Sequence, residues 1–150
     1  MNHQRPEVLL VEDNPNDEAL TCRALRTSTR RIDVTVVRDG AEALDYIFAV
    51  GQFEDRDVMV QPNVVLLDLN LPKISGLDVL KAIRADERTR LLPVVIMTSS
   101  REDVDLIDGY QNGANSYVVK PVKFEEFAER VQQLGVYWIS TNESPNTRTT

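Results

Sequence analysis

Four apolar runs in the sequence end on residues that could do chemistry. "VLLV" from Val8 is followed by the acidic pair Glu12 and Asp13, "VVLL" from Val64 by Asp68, "VVIM" from Val94 by Thr98, and "YVV" from Tyr117 by Lys120. A carboxylate is costly to bury without a partner, so an acid that closes an apolar run is expected to emerge where it meets solvent, a metal or a substrate. If Glu12, Asp13 and Asp68 converge, their like charges require a cation, and hard oxygen ligands suit Mg²⁺, which keeps several waters and leaves room for a phosphate oxygen. A hydroxyl at Thr98 and an ammonium at Lys120 are the groups that would touch a phosphoryl group. The chemistry expected of the set is acyl-phosphate formation, with Asp68 as nucleophile and the metal and Lys120 neutralising the transferred charge.

These residues converge only if the runs are neighbouring strands. Five segments have strand length and β-branched enrichment: "VLLVE" from Val8, "IDVTVV" from Ile32, "NVVLLD" from Asn63, "PVVIMTS" from Pro93 and "SYVVK" from Ser116. Most are unbroken rather than alternating, the mark of strands covered on both faces in a parallel sheet. The second alternates most and is expected at an edge. Helical periodicity predicts helices over 17–28, 41–50, 76–85, 101–111 and 123 to about 139, with Leu20, Ala24 and Leu25 sharing one face and Leu77, Leu80, Ile83 and Arg84 another. Alternation of strands and helices predicts an α/β doubly wound fold, a five-stranded parallel sheet with five helices; in the expected order 2-1-3-4-5 its first and third strands are neighbours. Such sheets bind ligands at the carboxyl ends of their strands, near the switch in strand order, where Asp68 is expected.

Composition narrows the function classes. The chain has 150 residues and 42% apolar content, enough for one packed domain. A net charge of -7 repels phosphate backbones and anionic lipid, so neither DNA nor a membrane surface is expected as a direct partner. Cys22 is the only cysteine, which excludes an intramolecular disulfide and suits a reducing cytoplasm; its expected role is helix packing. No leader or membrane-spanning segment is read from the chain, and a cytoplasmic location is expected. The loop 51–62 is long for a helix-to-strand connection and reads as a surface elaboration, with "FEDRD" from Phe53 a solvated stretch that could select a kinase. His3 reads as a terminal residue without a role. The domain is expected over 1–139, and residues 140–150 as a flexible polar tail.

With these residues in place, the sequence resembles the receiver domain of two-component response regulators, across roughly Glu7 to Val136. The resemblance rests on Glu12 and Asp13 in "LLVEDN", Asp68 in "LLDLNLP", Thr98 in "IMTSS" and Lys120 before Pro121 in "YVVKP". It implies that the backbone carbonyl of Asn70 joins Glu12, Asp13 and Asp68 on Mg²⁺, that the Lys120–Pro121 bond is cis, and that Thr98 and Tyr117 form a switch pair. The wording "DLNLPK", the long loop before the third strand and "VYWIS" near Trp138 are similar to stand-alone receivers associated with bacteriophytochromes. That likeness implies a sensor histidine kinase partner, a bacteriophytochrome being one candidate. It further implies a homodimer through the C-terminal helix and the face of the fourth helix, fifth strand and fifth helix. Ser75 and Ser99 depart from the family pattern, standing where aspartate and alanine are common. Phe127, Tyr137 and Trp138 read as a partner surface, the alternative being the inner face of the last helix.

The function expected is that of a single-domain response regulator, phosphorylated on Asp68 and signalling through a changed surface, with no catalysis beyond its own labelling and loss of the label. Two rivals stand beside it. A receiver-like interaction module would work without phosphate, and a dehalogenase-type phosphatase would need an aspartate two residues after its nucleophile, where this chain has Asn70.

Overall fold

A computed structural model of the protein describes residues 5–28 and 31–145. The strands are β1 (Glu7–Val11), β2 (Asp33–Val37), β3 (Val64–Leu67), β4 (Val94–Thr98) and β5 (Ser116–Val119). Between and after them run α1 (Pro15–Ser28), α2 (Gly40–Phe48), α3 (Gly76–Ala85), α4 (Asp103–Gln111) and α5 (Phe124–Gly135). All strand pairs are parallel and the order is β2-β1-β3-β4-β5, as the sequence pattern predicts, with β2 at an edge.

The unbroken apolar runs follow from burial on two faces. Leu9, Val11, Val65, Leu67, Val94 and Ile96 face α2 and α3 through Ala43, Ile47, Val79, Leu80 and Ile83. Their neighbours Val8, Leu10, Val64, Leu66, Val95 and Met97 face α1 and α5 through Cys22, Leu25, Phe127 and Val131. Successive residues of one strand therefore serve two different cores, which is why period-two polarity is absent. Cys22 is buried in the second core, the packing role expected of it.

Local chemistry sets the helix starts. Pro15 opens α1 two residues earlier than the periodicity alone suggested, because its fixed φ and missing N–H suit the first helical position. The Asn14 side-chain oxygen caps that turn, accepting from the backbone N–H of Asn16 (2.9 Å) and Asp17 (3.1 Å). Asp39 caps α2 by accepting from Glu42 N–H at 2.7 Å, and Ser75 caps α3 by accepting from Asp78 N–H at 3.2 Å. Ser75 thus performs at this position the capping that an aspartate would.

Three expectations change. Phe53 packs edge-on against Tyr46 with ring centroids 5.0 Å apart, and the Arg56 guanidinium lies 3.8 Å above the Tyr46 ring and donates to the carbonyls of Tyr46 and Val60. The "FEDRD" stretch is pinned by these two side chains rather than wholly solvated, since an aromatic and a guanidinium can bury apolar surface and satisfy buried carbonyls together. Phe127 belongs to the core, so it is no part of an exposed aromatic stripe; Trp138 is half-buried against that core, and Tyr137 is 51% exposed. The segment from Ser140 is not wholly free of the domain: α5 continues as a π-helical turn, Val136–Thr141, and Ser144 is buried. Residues 146–150 and His3 lie outside the described residues.

Close approach constrains the start of α3. A Cβ on Gly76 would stand 2.1 Å from the Asp68 carbonyl oxygen, so the loop after β3 can fold back only over a residue without a side chain. Gly76→Ala is expected to cost ~2 kcal/mol through overpacking, and so to lower the melting temperature by roughly 4–8 °C in a thermal unfolding measurement. An unchanged melting temperature would show that the loop shifts freely.

Candidate functional site

Register delivers the acids to one level. Val11 pairs with Leu67 as the last rung between β1 and β3, and one residue later Glu12 and Asp68 leave the sheet side by side. The ladder runs on past the strand ends: Glu12 N–H donates to the Val37 carbonyl (3.0 Å) and Asp68 N–H to the Val11 carbonyl (3.2 Å), which fixes both backbones. On the other side Thr98 pairs with Val119, and Lys120 N–H donates to the Thr98 carbonyl at 2.7 Å. These are the carboxyl ends of β1, β3, β4 and β5, flanking the switch in strand order.

Glu12, Asp13 and Asp68 each place a carboxylate oxygen so that all three lie within 4.8 Å of one another. Glu12 and Asp68 are buried and Asp13 is exposed. The Lys120 ammonium is buried among them, 2.6 Å from Glu12 Oε1, 3.1 Å from Asp68 Oδ2 and 2.9 Å from Asp17 Oδ2. Burial pushes the Glu12 carboxyl up to about 7, and the hydrogen bond and charge of Lys120 oppose that only in part. Burial by itself would lower the Lys120 pKa, yet the hydrogen bond to Glu12 and the charge of Asp68 hold it above its ordinary value. The two shifts have different causes: burial disfavours the charged form of Glu12, whereas the surrounding carboxylates favour the charged form of Lys120.

That imbalance tests the cation reading. Glu12, Asp17 and Asp68 meet a single ammonium, and Asp13 stands within reach of Glu12 and Asp68, so that Glu12, Asp13 and Asp68 form an all-oxygen set with excess negative charge. Such a set fits a hard divalent cation, and Glu12, Asp13 and Asp68 are the residues that would hold it. Asn70 is exposed; its N–H donates to Asp68 Oδ1 at 3.0 Å, which orients the acceptor carboxylate. Thr98 is fully buried, with Oγ1 accepting from Ser100 N–H at 3.4 Å. Tyr117 is half-buried, packed on the α2–α3 side, and its hydroxyl donates to the Ser100 carbonyl at 3.2 Å. Burial raises the pKa of that hydroxyl.

One implied feature is absent. No peptide bond is cis among the described residues, so Lys120–Pro121 is trans, the form favoured by about 0.5–1 kcal/mol even before proline. The four-carbon stem of Lys120 reaches the acids from the trans backbone. The residue that the sequence reading missed is Asp17. Its signal was a third acid one helical turn after Asp13, just behind the Asn14 cap, where a carboxylate also reads as ordinary complement to a helix N-terminus.

A five-stranded doubly wound domain with these acids and a lysine at its strand ends defines a class, and the sequence comparison agrees with it. The chain belongs to the response regulator receiver domain family, matched over residues 8–132. Response regulator Rcp1 of Synechocystis is 34% identical over 134 residues, 89% of each chain, and its Mn²⁺-bound structure superposes with a TM-score of 0.87, covering 93% of this chain and 99% of that one. The phosphorylated cyanobacterial phytochrome response regulator RcpA is 34% identical with a TM-score of 0.89, over 95% of this chain and 99% of that one. The bacteriophytochrome response regulator AtBRR is 47% identical with a TM-score of 0.73, over 94% and 100% respectively.

Loss of the ammonium leaves the acids facing one another. At pH 8, above the raised Glu12 value, Lys120→Met is expected to destabilise the metal-free protein by ~3–5 kcal/mol in urea unfolding with a chelator present, and added Mg²⁺ to recover part of the loss. An unchanged midpoint in chelator would mean that Lys120 does not balance these charges.

Proposed function

We propose that this protein is a phosphoryl-accepting response regulator, with Asp68 the acceptor and Mg²⁺ the bound cation. The observation that carries the reading is the Lys120 ammonium 3.1 Å from Asp68 Oδ2 inside an acidic cluster. An Asp68 oxygen attacks phosphorus in a phosphohistidine or a small acyl phosphate; the bond to the donor breaks, and the donor leaves with the electron pair. Lys120 offers an N–H to the incoming phosphoryl oxygens, and the buried Thr98 hydroxyl offers an O–H. When bound, the cation supplies further neutralisation of the phosphoryl charge. The Asn70 N–H on Oδ1 keeps the other acceptor oxygen in place.

The switch follows from contacts on β4 and β5. Movement of Thr98 toward the phosphoryl group pulls on the loop 99–102, to which Tyr117 is tied through the Ser100 carbonyl, and the face formed by α4, β5 and α5 changes with it. Val104, Ile107 and Tyr110 are half or more exposed on that face, and Val136 and Tyr137 are exposed beyond α5. These apolar groups support a homodimer and a surface read by partner proteins. The donor is a sensor histidine kinase of the bacteriophytochrome kind, a reading supported by the likeness to AtBRR and RcpA, and a cytoplasmic location goes with that donor. The protein labels itself and loses the label rather than turning over an added phosphoester. Asn70 stands where a dehalogenase-type phosphatase needs its second aspartate.

Intact-mass spectrometry after incubation with Mg²⁺ and acetyl phosphate is expected to show one added phosphoryl group. The group is absent from Asp68→Asn and from a chelator control. Folded protein that takes no label from this donor or from histidine kinases would contradict the reading and point to a module that works without phosphate.

A further inference from the structure

Asp17 has no part in the acceptor or in the cation set described above, yet it holds a third of the capacity of the central lysine. An ammonium has three N–H donors, and in Lys120 each meets a different carboxylate, those of Glu12, Asp17 and Asp68. Lys120 starts from the end of β5, whereas Glu12 and Asp17 stand on the far side of β3 and β4, at the end of β1 and in the first turn of α1. A long side chain spanning that distance has several rotatable bonds, and one contact at its tip leaves the ammonium free to pivot. Two contacts on the β1–α1 side leave a single direction for the third N–H, toward Asp68.

Asp17 is well placed to hold such a contact. Its backbone N–H is bound by the Asn14 cap, so its Cα is fixed independently of Lys120. Its side chain is 29% exposed, so packing does not demand a carboxylate there. We propose that Asp17 is a positioning residue for phosphoryl transfer: with Glu12 it aims the Lys120 ammonium at the oxygen of Asp68 that becomes bonded to phosphorus. The inference rests on the acceptor reading given above. When Asp68 Oδ2 forms its bond to phosphorus, the N–H it held passes to a phosphoryl oxygen, and the N–H groups on Glu12 and Asp17 stay where they are.

The test uses the full chain as Asp17→Ala, Asp17→Asn, Lys120→Gln and the double variant Asp17→Ala/Lys120→Gln. Three readouts are taken: the rate of labelling by acetyl phosphate at saturating Mg²⁺, Mg²⁺ affinity by calorimetry without donor, and thermal unfolding in chelator. Asp17→Ala is expected to slow labelling on the order of tenfold at saturating Mg²⁺. Asp17→Asn, whose amide oxygen still accepts from the ammonium, recovers part of that rate. In the Lys120→Gln background the alanine substitution adds nothing to the loss, and in chelator it lowers the melting temperature less than it does in the wild type. A rate that returns to wild type once Mg²⁺ saturates, or equal melting shifts in both backgrounds, would overturn the role. Absence of label on the wild type overturns the acceptor reading instead, while the melting comparison still decides whether Asp17 holds Lys120.

Discussion

The structure turns on a cluster of negative charge that a single ammonium meets among the described residues. Four carboxylates gather at the carboxyl ends of β1 and β3 and the start of α1, and the one ammonium among them is divided three ways. Buried ion pairs lose much of their Coulomb gain to desolvation, so this arrangement lends little net stability for the burial it requires. Burial pushes Glu12 up to about 7, against the hydrogen bond and charge of Lys120. On the proposed reading, a divalent cation and the oxygens of a phosphoryl group would together balance these carboxylates.

The rest of the fold keeps that cluster in register. Two cores, one on each face, clamp the strands so that their ends cannot slide, and a slip of one residue would exchange the cores served by every side chain. The return of the chain after β3 is held by the approach of Gly76 to the Asp68 carbonyl, and by a hydrogen bond from Gly76 N–H to the Leu69 carbonyl at 3.0 Å. On the side of α3 away from the site, Arg84 donates to the carbonyls of Leu92 (2.6 Å) and Gly113 (2.9 Å) and to Asn115 Oδ1 (2.9 Å). It ties the starts of β4 and β5 to α3, so the side on which the strands begin is as fixed as the side on which they react.

Between site and surface lies a looser segment. The Ser100 hydroxyl donates to Asp105 Oδ2 at 2.5 Å, the Ser100 carbonyl accepts from Tyr117, and Ser100 N–H reaches Thr98 Oγ1. One residue thus touches β4, β5 and α4. Of α4 itself only Gly109 is buried, packed so near Ile96 and Tyr117 that a Cβ would meet Ile96 Cδ1 at 2.8 Å. On the proposed reading, a helix seated through a single small residue, and tied to β4 and β5 through one serine, is the element best suited to respond if Thr98 moves. Ser99, the departure beside the switch hydroxyl, is exposed at the mouth of this loop.

Much of this was legible in the sequence. Unbroken apolar runs identify strands buried on both faces, and the residues closing those runs identify the acids, the hydroxyl and the lysine, because one residue past a strand end is where a polar group can escape the core. Alternation of strands and helices pointed to a doubly wound sheet, and the order 2-1-3-4-5 within it brings Glu12, Asp13 and Asp68 together. What the sequence could not decide depended on contacts between segments distant along the chain. Asp17 looked like any acid at a helix N-terminus until the fold brought Lys120, 103 residues away, to its carboxylate. Arg56 and Phe53 looked solvated until Tyr46 was placed beneath them, and Phe127 looked like a partner aromatic until α5 was rotated onto the sheet. Periodicity reports which side of an element is apolar, but which charged or aromatic side chain meets it is fixed only when the elements pack.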